Sequence, residues 1–484
     1  MKKFEESPLY RIMHPRSVAF WGASSNPMGM GTVQLSQLLA LGYEGRIYPM
    51  HPREKEVMGL PAYAHASDLP EPADLAVFVL PTKVVPEILE ECGQAGIKHA
   101  IIVSAGFGEM GEAGRHEQDK LVELARKYDI SFVGPNCIGV VNPSLKFNTT
   151  FYPYEATPGF IGMASQSGSF ITQMFTHLEK FGIGFSQAAS VGNEAQLGLT
   201  DCVEYLGQCP QTTVIGLYIE AIRNGRHFVE VAREVSKIKP IVAFYVGGSK
   251  AGSRAGMSHT GALAGPDPVY DGIFKQCGIT RAASIEELFD FCYVLGSQPM
   301  PAGKRLAILT HSGGPGAAAS DAAERTGLDL IDFSPETQER LQPLLPGTAS
   351  IRNPVDMTFT RNYSDYIETL PKILLEDKNV DSMFVYCLMP HRRVINSVAC
   401  TQLGDPSQAA AVADEYIKGQ AASAAALSPA YGKPVVGGTF CTRRDLFVQE
   451  LQDRGFPCLP SPERAIKALG ALSRYAEWRR SEGQ

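Results

Sequence analysis

A chain of 484 residues is longer than one ordinary hydrophobic core organises, so two to four domains are expected. With 44% hydrophobic and 20% charged residues it has the balance of a soluble globular protein. The formal charge of −7 argues against a general nucleic-acid-binding face, which sets cations against phosphate. The opening MKKFEESPLY has no apolar signal region, no run reaches the length of a membrane span, and the ten cysteines form no CxxC pair. The expectation is a cytoplasmic protein with reduced thiols, no membrane segment and no metal site.

From the N-terminus, SVAFWGAS (17–24) predicts a strand ending in a turn, and 29–41 a helix. RIYPM (46–50) and DLAVFVL (74–80) follow as strands joined by an extended connection. Then come a helix at 83–93, a strand at AIIVSAG (100–106), a helix at 114–127 and a strand at SFVG (131–134). The segment 142–158 has three prolines and no helical period, so it reads as a break. A second series begins at GFIGMAS (159–165) and continues with a helix at 167–181, FSQAAS (185–190) and a helix at 199–207. It ends with TTVIGLYIE (212–220), a helix at 226–236 and PIVAFYV (240–246). After SQPMPAGKR (297–305), which reads as a linker, a third series contains RLAILTHSGGPG (305–316), DSMFVYCL (381–388), PVVGGTF (434–440) and an amphipathic helix at 462–475. Continuous apolar strands alternating with helices indicate parallel sheets covered on both faces. The expected class is α/β, with domains at 1–142, 143–298 and 299–484.

Four features carry candidate chemistry. The turn GASSNPMGMG (22–31) places small residues where a backbone approaches a ligand phosphate at a helix start, although a tight turn explains it equally. A nicotinamide-binding fold places an acid about 20 residues further on. Here the second strand runs into Pro49-Met50-His51-Pro52-Arg53, with no acid and a guanidinium suited to phosphate, which favours CoA or NADP over NAD. SQSGS (165–169) and THSGGPG (310–316) each follow a strand and open a helix, as an anion site or a plain N-cap does. His259 lies in SHTGALAG (258–265), in a stretch holding six glycines from Gly247 to Gly265. An imidazole held in one tautomer accepts a phosphoryl group, and Glu220 at a strand end is the candidate for holding it. No GxxxxGK[ST] motif occurs.

In this order, GASSNP (22–27), VSAGFGE (103–109), GPNCIG (134–139), SQSG (165–168), SVGNEA (190–195), YIE (218–220), SHTGALAG (258–265), HSGGPG (311–316) and NPVD (353–356) resemble the α subunits of succinyl-CoA synthetase. They resemble those of ADP-forming acetyl-CoA synthetases more closely. The resemblance implies a Rossmann-like CoA-binding domain followed by two flavodoxin-like domains. It also implies reversible interconversion of acyl-CoA, nucleotide diphosphate and phosphate with carboxylic acid, CoA and nucleotide triphosphate.

By the same resemblance His259 is the phosphorylated residue and Glu220 its orienting carboxylate. Ser165, Gln166, Ser167 and Gly168 form one phosphate-binding helix start, and Gly313 and Gly314 lie at a second. Ser24, Asn26, Pro27 and Arg53, with Pro81 and Ala105, fall along the CoA path. Asn136, Gly192 and Asn193 lie near the acyl group. ATP or ADP with Mg2+ is assigned to a separate ATP-grasp β subunit, in an α2β2 assembly, and the second substrate is a small carboxylic acid. Trp21, the MGM at 28–30, Arg53 in place of a lysine and His311 in place of an asparagine depart from the pattern. The competing readings are a non-catalytic CoA-binding or regulatory protein and an NADP-dependent oxidoreductase.

Overall fold

Apolar strands separated by amphipathic helices hide both faces only in parallel sheets. Three such sheets form in the computed structural model, which describes residues 3–154, 157–249, 265–358, 364–400 and 406–483. The first contains β1 (Ser17–Trp21), β2 (Arg46–Met50), β5 (Leu75–Phe78), β6 (His99–Ile102) and β7 (Ser131–Val133), in the order β2-β1-β5-β6-β7. All its pairings are parallel. The strand order reverses at β1, the position where such folds bind ligands at the carboxyl ends of their strands. The extended connection after β2 contains a small hairpin, β3 (Glu56–Val57) with β4 (Leu60–Pro61).

The second sheet has seven strands. β8 is Val140–Asn142, β9 Phe147–Asn148, β10 Ile161–Ser165, β11 Phe185–Ser190, β12 Val214–Ile219, β13 Ile241–Tyr245 and β14 Thr280–Ala282, in the order β14-β13-β12-β10-β11-β8-β9. Its antiparallel edge, β8 and β9, starts within the first series and runs into the stretch that reads as a break. Asn142, Asn148, Thr149 and Thr150 are all buried there. The Asn142 amide donates to the Met13 carbonyl (3.0 Å), and Asn148 Oδ1 accepts from the Thr150 N–H and hydroxyl (2.9 and 2.7 Å). The side chains of Asn148, Thr149 and Thr150 are satisfied by local bonds, so polar residues form a buried edge, while Asn142 Oδ1 is buried without a hydrogen-bond partner among the described residues. One hydrophobic core passes through both sheets, from Leu9 and Val18 to Phe274 and Ile279, and the two sheets form one compact unit, residues 1–177 with 184–283.

The other unit, residues 178–183 with 284–484, carries the third sheet. Its path is β16 (Asp329–Leu330), β15 (Arg305–Thr310), β18 (Ser382–Tyr386), β19 (Val435–Gly438) and β20 (Cys458–Leu459), with β17 (Val355–Asp356) also on β15. The helix read at 462–475 extends over Pro462–Glu482, and a 26-residue helix, Pro406–Tyr431, precedes β19. Among the described residues no helix is long and apolar enough to cross a membrane.

Within this unit the C-terminal helix is fastened by a charge pair. Arg464, in its first turn, donates from Nε and a terminal nitrogen to the two carboxylate oxygens of Asp290 (2.6 and 2.8 Å), and Asp290 is 2% exposed. Burial raises the Asp290 carboxyl above its usual range, and the guanidinium opposes the rise. Arg464→Met leaves a buried carboxylate without its counter-charge and is expected to destabilise the fold by about 3 kcal/mol at neutral pH. The folded-state pKa of Asp290 then rises further above the unfolded value, so the deficit shrinks as pH falls and the carboxyl takes up a proton. Thermal unfolding of wild type and variant across the range from neutral to mildly acidic pH checks both the size and the sign.

Candidate functional site

The turn after β1 is built for close approach of backbone to backbone. Gly22 sits at φ +103°, and a Cβ there would lie 2.1 Å from the Val79 carbonyl oxygen; one at Gly31 would lie 2.3 Å from the Gly22 carbonyl oxygen. Thr32 Oγ1 accepts from the Ser24 N–H (3.0 Å) and donates to the Ser24 carbonyl (3.1 Å), fixing the turn to the helix Met30–Leu41. Ser24 Oγ accepts from the Asn26 N–H, and Asn26 Oδ1 from the Met28 N–H. Asn26, Pro27 and Arg53 are exposed. The helix begins at Gly29 without a side-chain cap among the described residues, so its first N–H groups suit a phosphate-bearing ligand.

The acid missing from 49–53 stands one residue later. Glu54 accepts from the Ser25 N–H (2.9 Å) and hydroxyl (3.2 Å), and its own N–H bonds His51 Nδ1 (2.9 Å). That carboxylate is engaged by the turn after β1. At the ends of β5 and β6, Pro81 and Ala105 are brought together, with Thr82 Oγ1 donating to the Ala105 carbonyl (2.5 Å).

Asn136, Gly192 and Asn193 meet at the junction of the first two sheets. Asn136 Nδ2 donates to Asn193 Oδ1 (3.2 Å), and the Asn193 N–H donates to the Pro135 carbonyl (2.9 Å). Asn193 Nδ2 reaches Glu109 Oε2 (2.5 Å) and Gln118 Oε1 (3.0 Å). Gly192, at φ +55°, lies so close to the Pro135 and Asn136 carbonyls that a Cβ would meet them at 2.4 and 2.5 Å.

The SQSG turn and the Glu220 strand end form one hydrogen-bonded assembly. Ser165 is fully buried, and its hydroxyl donates to the Ser167 carbonyl (2.7 Å) ahead of the helix Gly168–Glu179. The Gln166 side chain continues the β10–β12 ladder. Its Oε1 accepts from the Glu220 and Ala221 N–H groups (2.5 and 3.0 Å), and its Nε2 donates to the Ala221 carbonyl (2.7 Å). The amide also hydrogen-bonds Glu194. Neither Glu54, Glu194 nor Tyr270, described next, was singled out as a functional residue from the sequence. An acid set among the small residues of SVGNEA was the one available signal for Glu194.

His259 lies outside the described residues, but both flanks of its segment are placed. Beyond β13 the Val246 N–H donates to the Ile219 carbonyl (2.9 Å), one residue before Glu220. On the far side, the Gly265 carbonyl accepts from Tyr245 Oη (2.5 Å). Tyr245 stacks on Tyr270 at 3.6 Å between ring centroids, and the Tyr270 hydroxyl accepts from the Ile222 N–H (3.0 Å). The chain therefore leaves and re-enters this segment beside the Glu220 strand end.

In the other unit, Gly313 and Gly314 open the helix Gly313–Thr326. Thr310 Oγ1 donates to the Ser312 carbonyl (2.8 Å) and accepts from its N–H (3.1 Å). The Asp356 carboxylate lies 3.4 Å from where a side chain on Gly313 would begin. His311 packs between Tyr366 and Tyr386 (ring centroids 5.3 and 5.4 Å), and burial lowers its pKa.

Family models match along the chain: a CoA-binding domain at 16–143, a succinyl-CoA ligase-like flavodoxin domain at 158–295 and a ligase-CoA domain at 306–414. The chain is 41% identical to the acetate–CoA ligase (ADP-forming) II subunit alpha of Pyrococcus furiosus, over 78% of this chain and 82% of that one. It is 38% identical to the I subunit alpha of the same organism, over 97% of this chain and 98% of that one. Among solved structures, a dinucleotide-forming acetyl-coenzyme A synthetase 1 of Ca. Korarchaeum cryptofilum, in complex with phosphate and ADP, superposes with a TM-score of 0.85. It is 32% identical and covers 98% of this chain and 97% of that one. With relatives of this similarity matched over nearly their whole length, the chain belongs to the ADP-forming acetate–CoA ligase family.

Proposed function

We propose that this chain is the α subunit of an ADP-forming acyl-CoA synthetase that interconverts acyl-CoA, ADP and phosphate with a carboxylic acid, CoA and ATP, with His259 carrying the phosphoryl group. The observation that carries the reading is the anchoring of both flanks of the His259 segment beside the Glu220 strand end. Gly265 lies six residue steps beyond His259, roughly 20 Å at full extension. A carboxylate at the carboxyl edge of the sheet is thus available to hold one ring nitrogen while the other receives phosphate.

At one helix start the N–H groups of Ser167 and Gly168 would face the phosphoryl oxygens, with Ser165 and Gln166 shaping the turn, and at the other those of Gly313 and Gly314 would do so. Ser24, Asn26, Pro27 and Arg53, with Pro81 and Ala105, would hold CoA, which supplies the thiol of the thioester. Asn136, Gly192 and Asn193 would border the acyl carbon. In this scheme phosphate displaces the thiol to give an acyl phosphate. The imidazole then takes the phosphoryl group and frees the carboxylate, and the phosphohistidine passes it to ADP. The chain divides functionally at 1–142, 143–298 and 299–484. It works in the cytoplasm.

Two of these relatives carry the name subunit alpha, which supports a partner chain. We assign to that partner the ATP-grasp fold, the nucleotide and Mg2+, in an α2β2 assembly. Purified alone, the chain is expected to show no acid-dependent turnover of ATP in a coupled ADP assay. Adding the partner restores it, and robust turnover by the lone chain contradicts the division.

Labelling tests the phosphoryl carrier. The wild-type complex incubated with γ-labelled ATP is expected to retain acid-labile, base-stable phosphate on this chain, and His259→Ala to retain none. Glu220→Gln is expected to slow incorporation by about a hundredfold, as loss of a group that orients a histidine does. Full labelling of His259→Ala would remove the assignment.

A further inference from the structure

The SVGNEA segment holds an acid that the reaction scheme leaves without a task. Glu194 has a positive φ of 49°, unusual for a residue with a side chain and costing about 1 kcal/mol. The surroundings hold it there. Its side chain is 6% exposed, Oε1 accepts from the Leu199 N–H (2.7 Å), Oε2 lies 3.5 Å from Arg223 Nε, and the carboxylate takes a hydrogen bond from the Gln166 amide. With that bond the Gln166 side chain is saturated: its oxygen accepts two N–H groups and its nitrogen donates to Ala221 and to Glu194. The amide then has one favourable orientation, the one in which its oxygen faces Glu220 and Ala221.

We propose that Glu194 is a positioning residue for phosphoryl transfer, which orients Gln166 and through it locks the SQSG turn to the Glu220 strand end. The inference rests on the phosphohistidine reading and adds to it the element that sets the geometry of the phosphate turn relative to its carboxylate. The charged groups around Glu194 are Arg223, from the chain beyond β12, and Asp201, from the helix Leu199–Gln208. His227 of the helix Gly225–Ser236 borders the same cavity of about 190 Å³. Burial raises the Glu194 carboxyl, while the Leu199 N–H, Arg223 and Gln166 favour its ionised form. Positioning is therefore strongest when the group is ionised, and transfer weakens as pH falls through its raised pKa.

The experiment uses the complex of this chain with its nucleotide-binding partner and follows phosphate incorporation from γ-labelled ATP across pH. Glu194→Gln keeps the size of the side chain but loses the charge that pairs Arg223. It is expected to slow incorporation about tenfold or more, with half-saturation by ATP unchanged, and to lack the acidic limb of the wild-type pH profile. Glu194→Asp, which keeps the carboxylate, is expected to recover part of the rate and to retain the limb. Wild-type rates in Glu194→Gln overturn the proposal. So do equal losses in both variants with an unshifted pH profile, the signature of a residue that only fills space. A wild-type complex that takes no label removes the phosphohistidine reading itself, a result visible before any variant is made.

Discussion

The candidate site depends on how one parallel strand ends. β12 runs past the end of β10: their register ends with Ser165 opposite Tyr218, and the Gln166 N–H donates to the Tyr218 carbonyl. Buried N–H and C=O groups left unpaired cost about 1–3 kcal/mol each. The Gln166 side chain takes the place of the next peptide, accepting from two N–H groups and donating to one carbonyl. A glutamine thereby joins the turn that opens the helix Gly168–Glu179 to the strand end that presents Glu220. Serine or alanine at 166 is too short to span that ladder.

The flanks of the His259 segment obey the same logic. β13 is the neighbour of β12 on its other side, and the ladder continues one step beyond the strand, from the Val246 N–H to the Ile219 carbonyl. Tyr245 and Tyr270 then close the segment as a stacked pair. One hydroxyl is spent on Gly265 and the other on the backbone beside Glu220.

Much of this architecture was legible because the strands are continuous apolar runs. β1, β2, β10, β11, β12 and β13 lie within the runs read from the sequence, differing only by short overhangs where the chain passes from strand into turn. Two regions hid their structure for different reasons. β8 and β9 are short and built around Asn142, Pro143, Asn148 and Thr149, residues that signal a loop until their bonding partners are known. The helix Pro406–Tyr431 buries Ala409, Ala413, Ile417, Ala421 and Ala424, a stripe at helical spacing. Alanine occurs on its exposed faces as well, so the hydrophobic contrast is weak. At the site, residue types and their order were readable, but the bonds joining Gln166 to Glu194 and Glu54 to Ser25 were not, because they link loops distant in sequence.

Charge placement distinguishes the two helix starts assigned to phosphate. The SQSG turn is held by the Ser165 hydroxyl on the Ser167 carbonyl and by the Gln166 amide on the Glu220 strand end, and among the described residues these bonds involve no cation. At the HSGGPG turn His311 packs between Tyr366 and Tyr386, where burial lowers its pKa, and Asp356 stands beside Gly313. A fixed positive charge at either turn would bind phosphate tightly and hold it there. A group that must be received and handed on is better served by N–H dipoles, whose attraction is enough to orient the oxygens and too weak to trap them. For His311, burial first and the nearby Arg393 second oppose a charge on the ring.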